Sequence, residues 1–456
     1  MIMFIDREEE LGKLIELSNS KKAELALVYG RRRVGKSKLL VEFAKKTGAL
    51  YMLADVSENI LDILSRQVPD EFVKFGEWED FFEFLYKSKH KIIIIDEFQY
   101  LYQINKAWPT MLQRWWEKIK ETNKKIILCG SIISTIYKIS KGYGSALYGR
   151  KTLEMHIAPL EFRFVRKFFP DYSLEQLVET YSVLGGIPRY LEEFDSKIAI
   201  DENIKKKILD KTSFLYNEPI NLLFEEFRSP APYISILLAI TQGYTKFGEI
   251  ADASKIQGHR LPKYLSVLER VFIIERETPV TENKIRAKTT AYKIRDNFYR
   301  FWFRFLFKNK SLIEQGMQKE VFDSIHQELN SYIGRAFEDI CRQFLVNLRP
   351  VSFSKIGRWW HKGEEIDLVC LDENKKEALF IECKWSDLKE KEARKVLEEL
   401  KEKSTFVEWE RKKEHFGLFG KKILGKESLR KEGFYAWDLE DFEKAFEGDR
   451  HGPSAG

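Results

Sequence analysis

The chain has 456 residues, of which 44% are hydrophobic and 14% aromatic, a content that excludes a disordered chain and predicts two or three domains. The charge is dense but nearly balanced, with 77 basic and 71 acidic residues and a net charge of +6, so composition gives only weak support for a polyanionic partner. The four cysteines show no CxxC spacing, and no apolar run approaches 18 residues. We therefore expect a cytoplasmic protein with buried free thiols, no signal peptide and no membrane contact, and the Lys- and Glu-rich surface is typical of hyperthermophile proteins.

Strands and helices alternate over the first 160 residues. A short apolar run from Leu25 precedes a glycine-containing loop and a helix, and further apolar runs lie at 49–55, 91–98 and 124–131. The run KIIIIDEF is continuously apolar, as a strand buried on both faces requires. The sequence predicts an α/β domain over 1–160, with a mostly parallel sheet covered by helices on both faces.

The middle of the chain is mainly helical. Residues 161–229 predict a helical lid domain that is interrupted by the turn LGGIPRYL. Residues 230–297 contain three short amphipathic stretches followed by two strand-like runs, the pattern of a winged helix-turn-helix. The segment 298–310, which includes FYRFWFRFLF, is apolar around most of its circumference and predicts a buried connecting helix.

The last predicted domain covers 311–445. It begins with helices containing GRAFEDICRQFLVNL, continues with strands at 366–371 and 378–385, and then has a strongly charged helix. The tail 446–456 has no periodic pattern, and we expect it to be flexible.

The segment GRRRVGKS at 30–37 matches GxxxxGK[ST] at every position, between a predicted strand and a predicted helix. In such a loop the backbone N–H groups point at phosphate oxygens, a lysine reaches the outer phosphates, and a hydroxyl contacts Mg²⁺. We therefore predict an ATP or ADP site with Mg²⁺. The residues expected at the nucleotide are Gly30, Arg31, Arg32, Arg33, Val34, Gly35, Lys36, Ser37 and Lys38.

Two adjacent acids follow the buried run of four isoleucines. Asp96 is placed to hold the metal together with Ser37, and Glu97 to orient or deprotonate an attacking water. Since binding alone does not require Glu97, the pair predicts ATP hydrolysis.

Several motifs together resemble the archaeal ATPase family of the AAA+/STAND group, which is itself similar to the origin-recognition and Cdc6-type ATPases. They are FIDREEEL, GRRRVGKSKLL, IIIIDEFQYL, ILCGSIIS, YGRKTLEMHIAPLEF, GGIPRYL and YKIRDNFYRFWFRFL. The match spans almost the whole chain, and it implies a P-loop ATPase core followed by a further C-terminal domain.

The resemblance also implies roles for single residues. Pro188 would close over the nucleotide, Ser131 would be the polar sensor near the γ-phosphate, and Arg150 would be an arginine finger or sensor. An arginine at position 150 is equally typical of a surface ion pair. The N-terminal box expected against the adenine is Phe4, Ile5, Asp6 and Arg7.

DNA is the expected partner of the winged helix-turn-helix. The helix containing HRLPKYLSVLER would place His259, Arg260 and Lys263 in a major groove. The alternative is that this domain serves as a regulatory lid on the nucleotide domain.

Acidic groups and a lysine recur in the strands of the last domain. Side chains alternate along a strand, so Glu382 and Lys384 should share one face, with Asp367 entering from the neighbouring strand and Glu338 from the preceding helix. Carboxylates gathered at a partly buried edge repel one another unless a cation joins them, so the set predicts Mg²⁺ held by Asp367 and Glu382.

The order of these residues resembles the PD-(D/E)xK nuclease fold. The resemblance implies a restriction-endonuclease-like α/β domain with Asp367 and Glu382 as metal ligands, Lys384 as the catalytic lysine and Glu338 as the helix acid. The chain departs from the motif because no proline precedes Asp367. Cations and aromatic rings that suit nucleic acid lie nearby, although the tryptophans are equally typical of a core: Lys355, Arg358, Trp359, Trp360, His361 and Lys362.

These patterns favour an ATP-hydrolysing switch fused to a Mg²⁺-dependent nuclease-like domain that acts on DNA. Two alternatives remain open at this stage. The nuclease fold could be catalytically silent in a DNA-binding or signalling regulator. The chain could instead be a signalling ATPase that forms a nucleotide-dependent homo-oligomer on sensing a partner, with the last domain as its toxic or defensive effector.

Overall fold

The computed structural model describes residues 5–69, 73–140, 145–282 and 289–448. By their internal contacts the residues form two compact units. The first is Met1–Leu160 with Ile187–Arg189 and Leu223–Arg228, and the second comprises Glu161–Gly186, Tyr190–Leu222 and Ser229–Gly456. Phe4 and most of the tail predicted at 446–456 lie outside the described residues.

The first unit is built on a five-stranded parallel sheet in the order β2-β3-β4-β1-β5. Its strands are β1 Glu24–Tyr29, β2 Leu50–Leu53, β3 Ile92–Asp96, β4 Lys125–Gly130 and β5 Leu153–His156. Its helices are α1 Glu8–Asn19, α2 Lys36–Thr47, α3 Ile60–Arg66, α4 Trp78–Lys87, α5 Gln99–Ile104, α6 Trp108–Ile119 and α7 Ile133–Ser140. The predicted parallel α/β domain is confirmed, and β5 is a further strand that the sequence analysis did not identify.

The centre of this sheet is closed to solvent. All six residues of β4 are buried, as are Ile93 to Asp96 of β3. Continuously apolar strands are what a parallel sheet with two covered faces requires. The carboxyl ends of β1, β3 and β4 therefore lie side by side at one edge of the sheet, where the chemically active residues follow the strands.

Helical segments follow β5, and they belong to the second unit except for Ile187–Arg189 and Leu223–Arg228, which group with the first. They are a 3₁₀ turn Phe162–Lys167, α8 Leu174–Leu184, α9 Pro188–Leu191, α10 Ile200–Asn203, a π-helical turn Ile204–Ile208 and α11 Phe214–Glu226. Three helices follow, α12 Ala231–Thr241, α13 Phe247–Ser254 and α14 Leu261–Arg270, and then an antiparallel pair, β6 Ile274–Glu277 and β7 Ala291–Ile294. The three helices and the two strands of the predicted winged helix-turn-helix are present as elements, and their assignment to that fold remains a prediction.

The aromatic segment is helical and its rings are mostly buried. It consists of α15 Asn297–Phe301 and a π-helical turn Trp302–Phe307. Phe298, Phe301 and Trp302 are each fully buried. After α16 Lys310–Glu314 comes α17 Gln318–Leu348, a helix of 31 residues.

The C-terminal sheet has the order β12-β11-β10-β9-β8. Its strands are β8 Lys355–His361, β9 Glu364–Asp372, β10 Glu377–Leu388, β11 Lys413–Ile423 and β12 Tyr435–Trp437, and the remaining helices are α18 Glu390–Ser404, α19 Lys426–Lys431 and α20 Leu439–Gly448. β8, β9 and β10 pair antiparallel, whereas β11 and β12 run parallel to β10. The sheet is therefore mixed. Its restriction-endonuclease-like assignment remains a prediction.

Aromatic and aliphatic packing holds helices against this sheet. Phe337 and Phe344 on α17 contact Trp385 and Phe419 at ring-centroid distances of 5.1 and 5.7 Å. Leu400 on α18 belongs to a different buried cluster, which includes Trp359. Trp359 is thus a core residue, the second of the two interpretations that its sequence context allowed. The helix α17 therefore fixes where Glu338 lies relative to β9 and β10.

Candidate functional site

The glycine loop, residues 30–37, joins β1 to α2 at the carboxyl edge of the first sheet. A Cβ at Gly30 would lie 2.4 Å from the carbonyl oxygen of Ile157, so no side chain fits there. Gly35 has φ +94° and Arg33 has φ +71°, and both lie in the left-handed region that lets a loop curl around an anion. The loop thus has the backbone shape that the sequence pattern predicts.

Lys36 is the buried cation of this loop. Its Nζ donates to the carbonyl oxygen of Arg31 at 2.9 Å. Burial lowers the pKa of Lys36, and the neighbouring Cys129, Glu97 and Asp96 oppose that effect. A buried ammonium held by a single loop carbonyl is placed to exchange this contact for phosphate oxygens.

Arg7 fixes the loop from the N-terminal side. Its Nη2 donates to the carbonyl oxygens of Val34 at 3.3 Å and Ala158 at 2.6 Å, and its Nη1 lies 3.0 Å from Glu10. Because both of its terminal nitrogens are used in this way, Arg7 positions the glycine loop. Asp6, beside it, has φ +47°, and Ile5 is half-buried.

Asp96 ends β3 as a fully buried carboxylate. Its Oδ2 accepts a hydrogen bond from the hydroxyl of Tyr51 at 2.6 Å, and its Oδ1 accepts from the backbone N–H of Glu97 at 2.8 Å. Burial and the charge of Asp96 raise the pKa of Tyr51, so the hydroxyl stays protonated and donates. Tyr51 lies on the neighbouring strand β2, and no motif in the sequence points to it.

Glu97 has φ +54°, an uncommon conformation for a residue with a side chain. Its Oε2 accepts a hydrogen bond from Ser131 Oγ at 2.7 Å and is also contacted by Gln99 Nε2. Glu97 and Ser131 were predicted as the general base and the polar sensor, and they contact each other directly. The carboxylate is therefore held in one orientation at the edge where the glycine loop lies.

The other predicted nucleotide residues are distributed as follows. Arg32 donates from Nη2 to the hydroxyl of Tyr100 at 2.6 Å, and its Nε lies 2.8 Å from Glu225. Ser37 is an exposed residue in the first turn of α2. Pro188 belongs to the segment Ile187–Arg189, which groups with the first unit. The contacts of Arg31, Arg33 and Lys38 do not define a role for them.

Arg150 lies in a turn before β5. Its Nη2 is 3.6 Å from Glu117, and its Nη1 donates to the carbonyl oxygen of Ala146 at 3.3 Å. These contacts are those of a surface ion pair. A role as arginine finger remains a prediction.

The second site is built on β9 and β10 of the C-terminal sheet. Asp367 is buried, and its Oδ2 accepts a hydrogen bond from the backbone N–H of Cys383 at 2.8 Å. Glu382 and Lys384 project from one face of β10, with Lys384 Nζ 2.9 Å from Glu382 Oε2. The shared face that strand alternation predicts for this pair is present.

A second lysine, not identified from the sequence, completes the environment of Glu382. Lys403 Nζ lies 2.9 Å from Glu382 Oε1, so each carboxylate oxygen contacts one ammonium. Although burial opposes its ionisation, Lys384 and Lys403 hold the pKa of Glu382 below its usual range. Lys403 is on α18, 21 residues along the chain, and no local pattern points to it.

Burial, together with repulsion from Glu382 and Glu338, raises the pKa of Asp367 to about 8. Burial also raises the pKa of Glu338, against the opposing charges of Arg358 and Arg335, and Arg358 Nε lies 3.5 Å from its carboxylate. Asp367, Glu382 and Glu338 thus influence one another electrostatically, as the sequence predicts for neighbouring acids. Within the described ranges, however, no three His, Cys, Asp or Glu side chains are close enough together to form a ready metal site.

Asp367 and Glu338 open onto a cleft of about 830 Å³, which we call the charged cleft. The β6–β7 pair, α17 and β8–β9 line it, together with Trp360. Its exposed cations are Arg276, Arg342 and Lys355. Its less exposed acids are Glu275, Glu277, Glu282, Glu338, Asp339 and Asp367, and Lys293, Arg335 and Arg358 in the lining are similarly shielded. Acids and cations therefore share the inner part of the cleft, and the exposed charges in the lining are positive.

Among the described helices, none is sufficiently long and apolar to span a lipid bilayer.

Residues 4–194 match a family model described as an ATPase domain predominantly from Archaea. Residues 302–396 match a second model, described as archaeal and bacterial proteins of unknown function. The sheet, the glycine loop and the first match define the chain as a P-loop ATPase that binds ATP.

The chain is similar to three known archaeal proteins. It is 40% identical over 452 residues to an uncharacterized protein of Methanocaldococcus jannaschii, with 96% of this chain and 100% of the relative covered. It is 22% identical over 270 residues to an uncharacterized ATP-binding protein of Pyrococcus abyssi, with 51% and 82% covered. The solved Walker-type ATPase of Pyrococcus abyssi superposes with a TM-score of 0.50 at 24% identity, covering 66% of this chain and 96% of that one. The chain belongs to the archaeal P-loop ATPase family that includes the Methanocaldococcus protein.

Proposed function

We propose that this ATPase carries a Mg²⁺-dependent nuclease site in its C-terminal domain and acts on DNA. The observation that carries the proposal is the position of Asp367, a buried carboxylate whose ionisation is opposed by two acidic neighbours, in a cleft whose exposed charges are positive. Such a group stays ionised near neutral pH only when a cation compensates its charge. The order of Glu338, Asp367, Glu382 and Lys384 in the chain, which resembles that of PD-(D/E)xK nucleases, supports the same role.

The donor set partly fits a divalent ion. Asp367 uses Oδ2 for the Cys383 N–H, while the described residues provide no hydrogen bond to its Oδ1. Glu382 would become the second ligand by exchanging Lys384 or Lys403, each 2.9 Å away, for the ion. When bound, Mg²⁺ would polarise a phosphate oxygen and lower the pKa of a water.

The residues of the chain then have separate tasks. Lys384 holds a positive charge beside the site, because Glu382 raises its pKa against the effect of burial, and it would stabilise charge that develops on the phosphate. Arg342 and Lys355 would contact the DNA backbone, and Trp360 offers a ring for a base. In the first unit, Ser37 and Asp96 would hold the Mg²⁺ of ATP, and Glu97 would orient the attacking water.

The test is cleavage of linear duplex, single-stranded and branched DNA with Mg²⁺ or Mn²⁺. We expect Asp367→Asn to lower the cleavage rate by about 100-fold or more, since it removes a metal ligand. Glu364→Gln is the matched control, because Glu364 is an exposed acid at the start of the same strand. Equal residual cleavage by the wild type and Asp367→Asn would remove the nuclease assignment.

One observation favours a second candidate, a DNA-binding regulator with a silent nuclease fold. Both oxygens of Glu382 contact lysines, which satisfies this carboxylate without any metal. This candidate predicts that DNA binds with similar affinity to the wild type and Asp367→Asn, and that neither protein cleaves it. A binding titration run beside the cleavage assay separates the two.

A further inference from the structure

A second cavity, of about 680 Å³, lies in the second unit and shares Lys293 and Arg335 with the lining of the charged cleft. The C-terminal end of α12, strand β7, the aromatic segment and α17 enclose it. Cavities of this volume are in the range that binds small organic molecules. We call it the arginine cavity, after Arg300, Arg304 and Arg335 in its lining.

Arg300 is the fixed cation of this cavity. Its Nε donates to the hydroxyl of Tyr332 at 3.3 Å, and its guanidinium lies over the Tyr332 ring at 4.9 Å from the centroid. The Tyr332 hydroxyl in turn lies 3.1 Å from the carbonyl oxygens of both Ser182 and Asn297. The guanidinium is therefore held from one side by a side chain that is itself fixed.

The other side of this guanidinium has no partner. Nη2 is buried and without a hydrogen bond, and no described residue accepts a hydrogen bond from Nη1. These two nitrogens form the fork that binds carboxylate or phosphate in a bidentate manner. A buried donor left unsatisfied destabilises the protein, so a ligand that supplied the acceptors would remove an existing penalty.

The lining has an excess of positive charge. Arg304 pairs with Glu328 at 2.8 Å, and Lys293 contacts Glu275, Glu277 and Asp339 at 2.9 to 3.2 Å. By contrast, Arg300, Lys308 and Arg335 form no ion pair within the described ranges of the chain. The charges of these three cations are therefore not neutralised by an ion pair, and the cavity lining favours a bound anion.

The remaining walls are apolar and aromatic. Phe303 and Phe305 line the cavity from the aromatic segment, Leu238 from α12, and the rings of Tyr244 and Tyr292 lie on the side of the β6–β7 pair. A free inorganic ion would leave these surfaces without a partner, whereas an organic anion would bury its body against them.

We propose that the arginine cavity binds a small organic anion, a phosphate or a carboxylate attached to an apolar or aromatic body, through the free fork of Arg300. Lys308 and Arg335 add longer-range attraction. Arg300 lines neither the glycine loop nor the charged cleft, so the proposal stands whether or not the chain cleaves DNA.

The experiment is calorimetric titration with three probes: inorganic phosphate, phenyl phosphate and benzoate. A non-hydrolysable ATP analogue with Mg²⁺ is present throughout, so that the glycine loop is already filled. We expect saturable binding of phenyl phosphate, benzoate or both, tighter than binding of inorganic phosphate, and at least about a 10-fold loss of affinity in Arg300→Gln. The ratio of phenyl phosphate to benzoate affinity identifies the anionic group.

Two further variants make the result decisive. Lys308→Gln changes an exposed residue of the lining, and it should weaken binding even if Arg300→Gln fails to fold. Arg349→Gln removes the same charge at an exposed position outside the cavity, and it should leave binding unchanged. The proposal is overturned if no probe binds saturably to the wild type, or if inorganic phosphate binds as tightly as both organic probes. It is also overturned if neither lining variant weakens binding more than Arg349→Gln does.

Discussion

At the scale of single residues, Glu97 shows how the ATPase edge is organised. A residue with a side chain at positive φ costs about 1–3 kcal/mol and persists only where its surroundings fix it. Here the surroundings are the hydrogen bond from Ser131 at 2.7 Å and the fixed Asp96 that precedes it. The strained position therefore serves to aim the carboxylate.

Glu97→Gln tests this role. The amide keeps the size of the side chain but cannot accept a proton, so we expect ATP turnover to fall by about 100-fold or more while the ATP analogue still binds. Steady-state ATPase assays and a nucleotide-binding titration measure the two effects. Glu58→Gln, at an exposed position of the same unit, is the control and should match the wild type. Unchanged turnover in Glu97→Gln would exclude it as the base.

Asp367 predicts a pH dependence of stability in the metal-free protein. Its pKa is raised to about 8 in the folded state, above the ordinary value of 3.8, so the folded state binds the proton more tightly than the unfolded state does. The tighter binding of this proton stabilises the folded state fully below about pH 4, and the stabilisation is lost as the pH rises to about 8.

The Asn side chain does not titrate, so Asp367→Asn should not lose stability through this group as the pH rises. We expect the free energy of unfolding of Asp367→Asn, relative to the wild type, to increase between pH 5 and pH 8.5 in the presence of a chelator. Denaturant unfolding at several pH values measures it. A constant difference across that range would show that Asp367 is not a buried carboxyl with a raised pKa.

Short-range patterns made part of the C-terminal site predictable. Strand alternation places Glu382 and Lys384 on one face, and they are 2.9 Å apart. Lys403 and Arg358 reach the site from α18 and β8, and their contacts depend on packing between distant segments. Sequence spacing carries no information on such contacts.

At the scale of elements, the length of an apolar run determined whether a strand could be identified from the sequence. The strands β1, β3 and β4 are continuously buried runs and were identified from the sequence. The strand β5, Leu153–His156, lies at the edge of the sheet and has no long apolar run, and its alternation of apolar and polar residues extends over only four residues. It was therefore missed.

The close packing of the glycine loop predicts the effect of an alanine at position 30. In Gly30→Ala the new Cβ would lie 2.4 Å from the Ile157 carbonyl oxygen, so loop or strand must shift, and we expect weaker nucleotide binding with a loss of about 1–3 kcal/mol in stability. Gly12→Ala is the control, because Gly12 is inside α1 with no atom within 4 Å of the added Cβ. It should stabilise the protein by about 0.5–1 kcal/mol.

Thermal or denaturant unfolding and a nucleotide titration compare the two alanine variants. If Gly30→Ala bound nucleotide like the wild type, the close approach of the loop to Ile157 would not shape the phosphate site.

At the scale of the whole molecule, the two units carry different chemistry. The first contains the glycine loop, Asp96 and Glu97, and its family match and parallel sheet define an ATPase. The second contains the charged cleft and the arginine cavity, which bring together residues from helices and strands far apart in the sequence. Motifs supplied the candidate residues of the first site, apart from Tyr51, and these roles remain predictions. For the second site the sequence pointed to the acids, Lys384 and the basic and aromatic residues of β8, but not to Lys403.

The central claim is that Asp367, in the lining of the charged cleft, and its neighbour Glu382 hold a divalent ion. The direct measurement is the number of Mn²⁺ ions bound by the nucleotide-free protein at pH 8.5, counted by electron paramagnetic resonance for the wild type, Asp367→Asn and the control Glu364→Gln. We predict that Asp367→Asn binds one Mn²⁺ fewer than the other two proteins. Equal numbers of bound ions in all three, at equal affinity, would contradict the metal site and with it the nuclease.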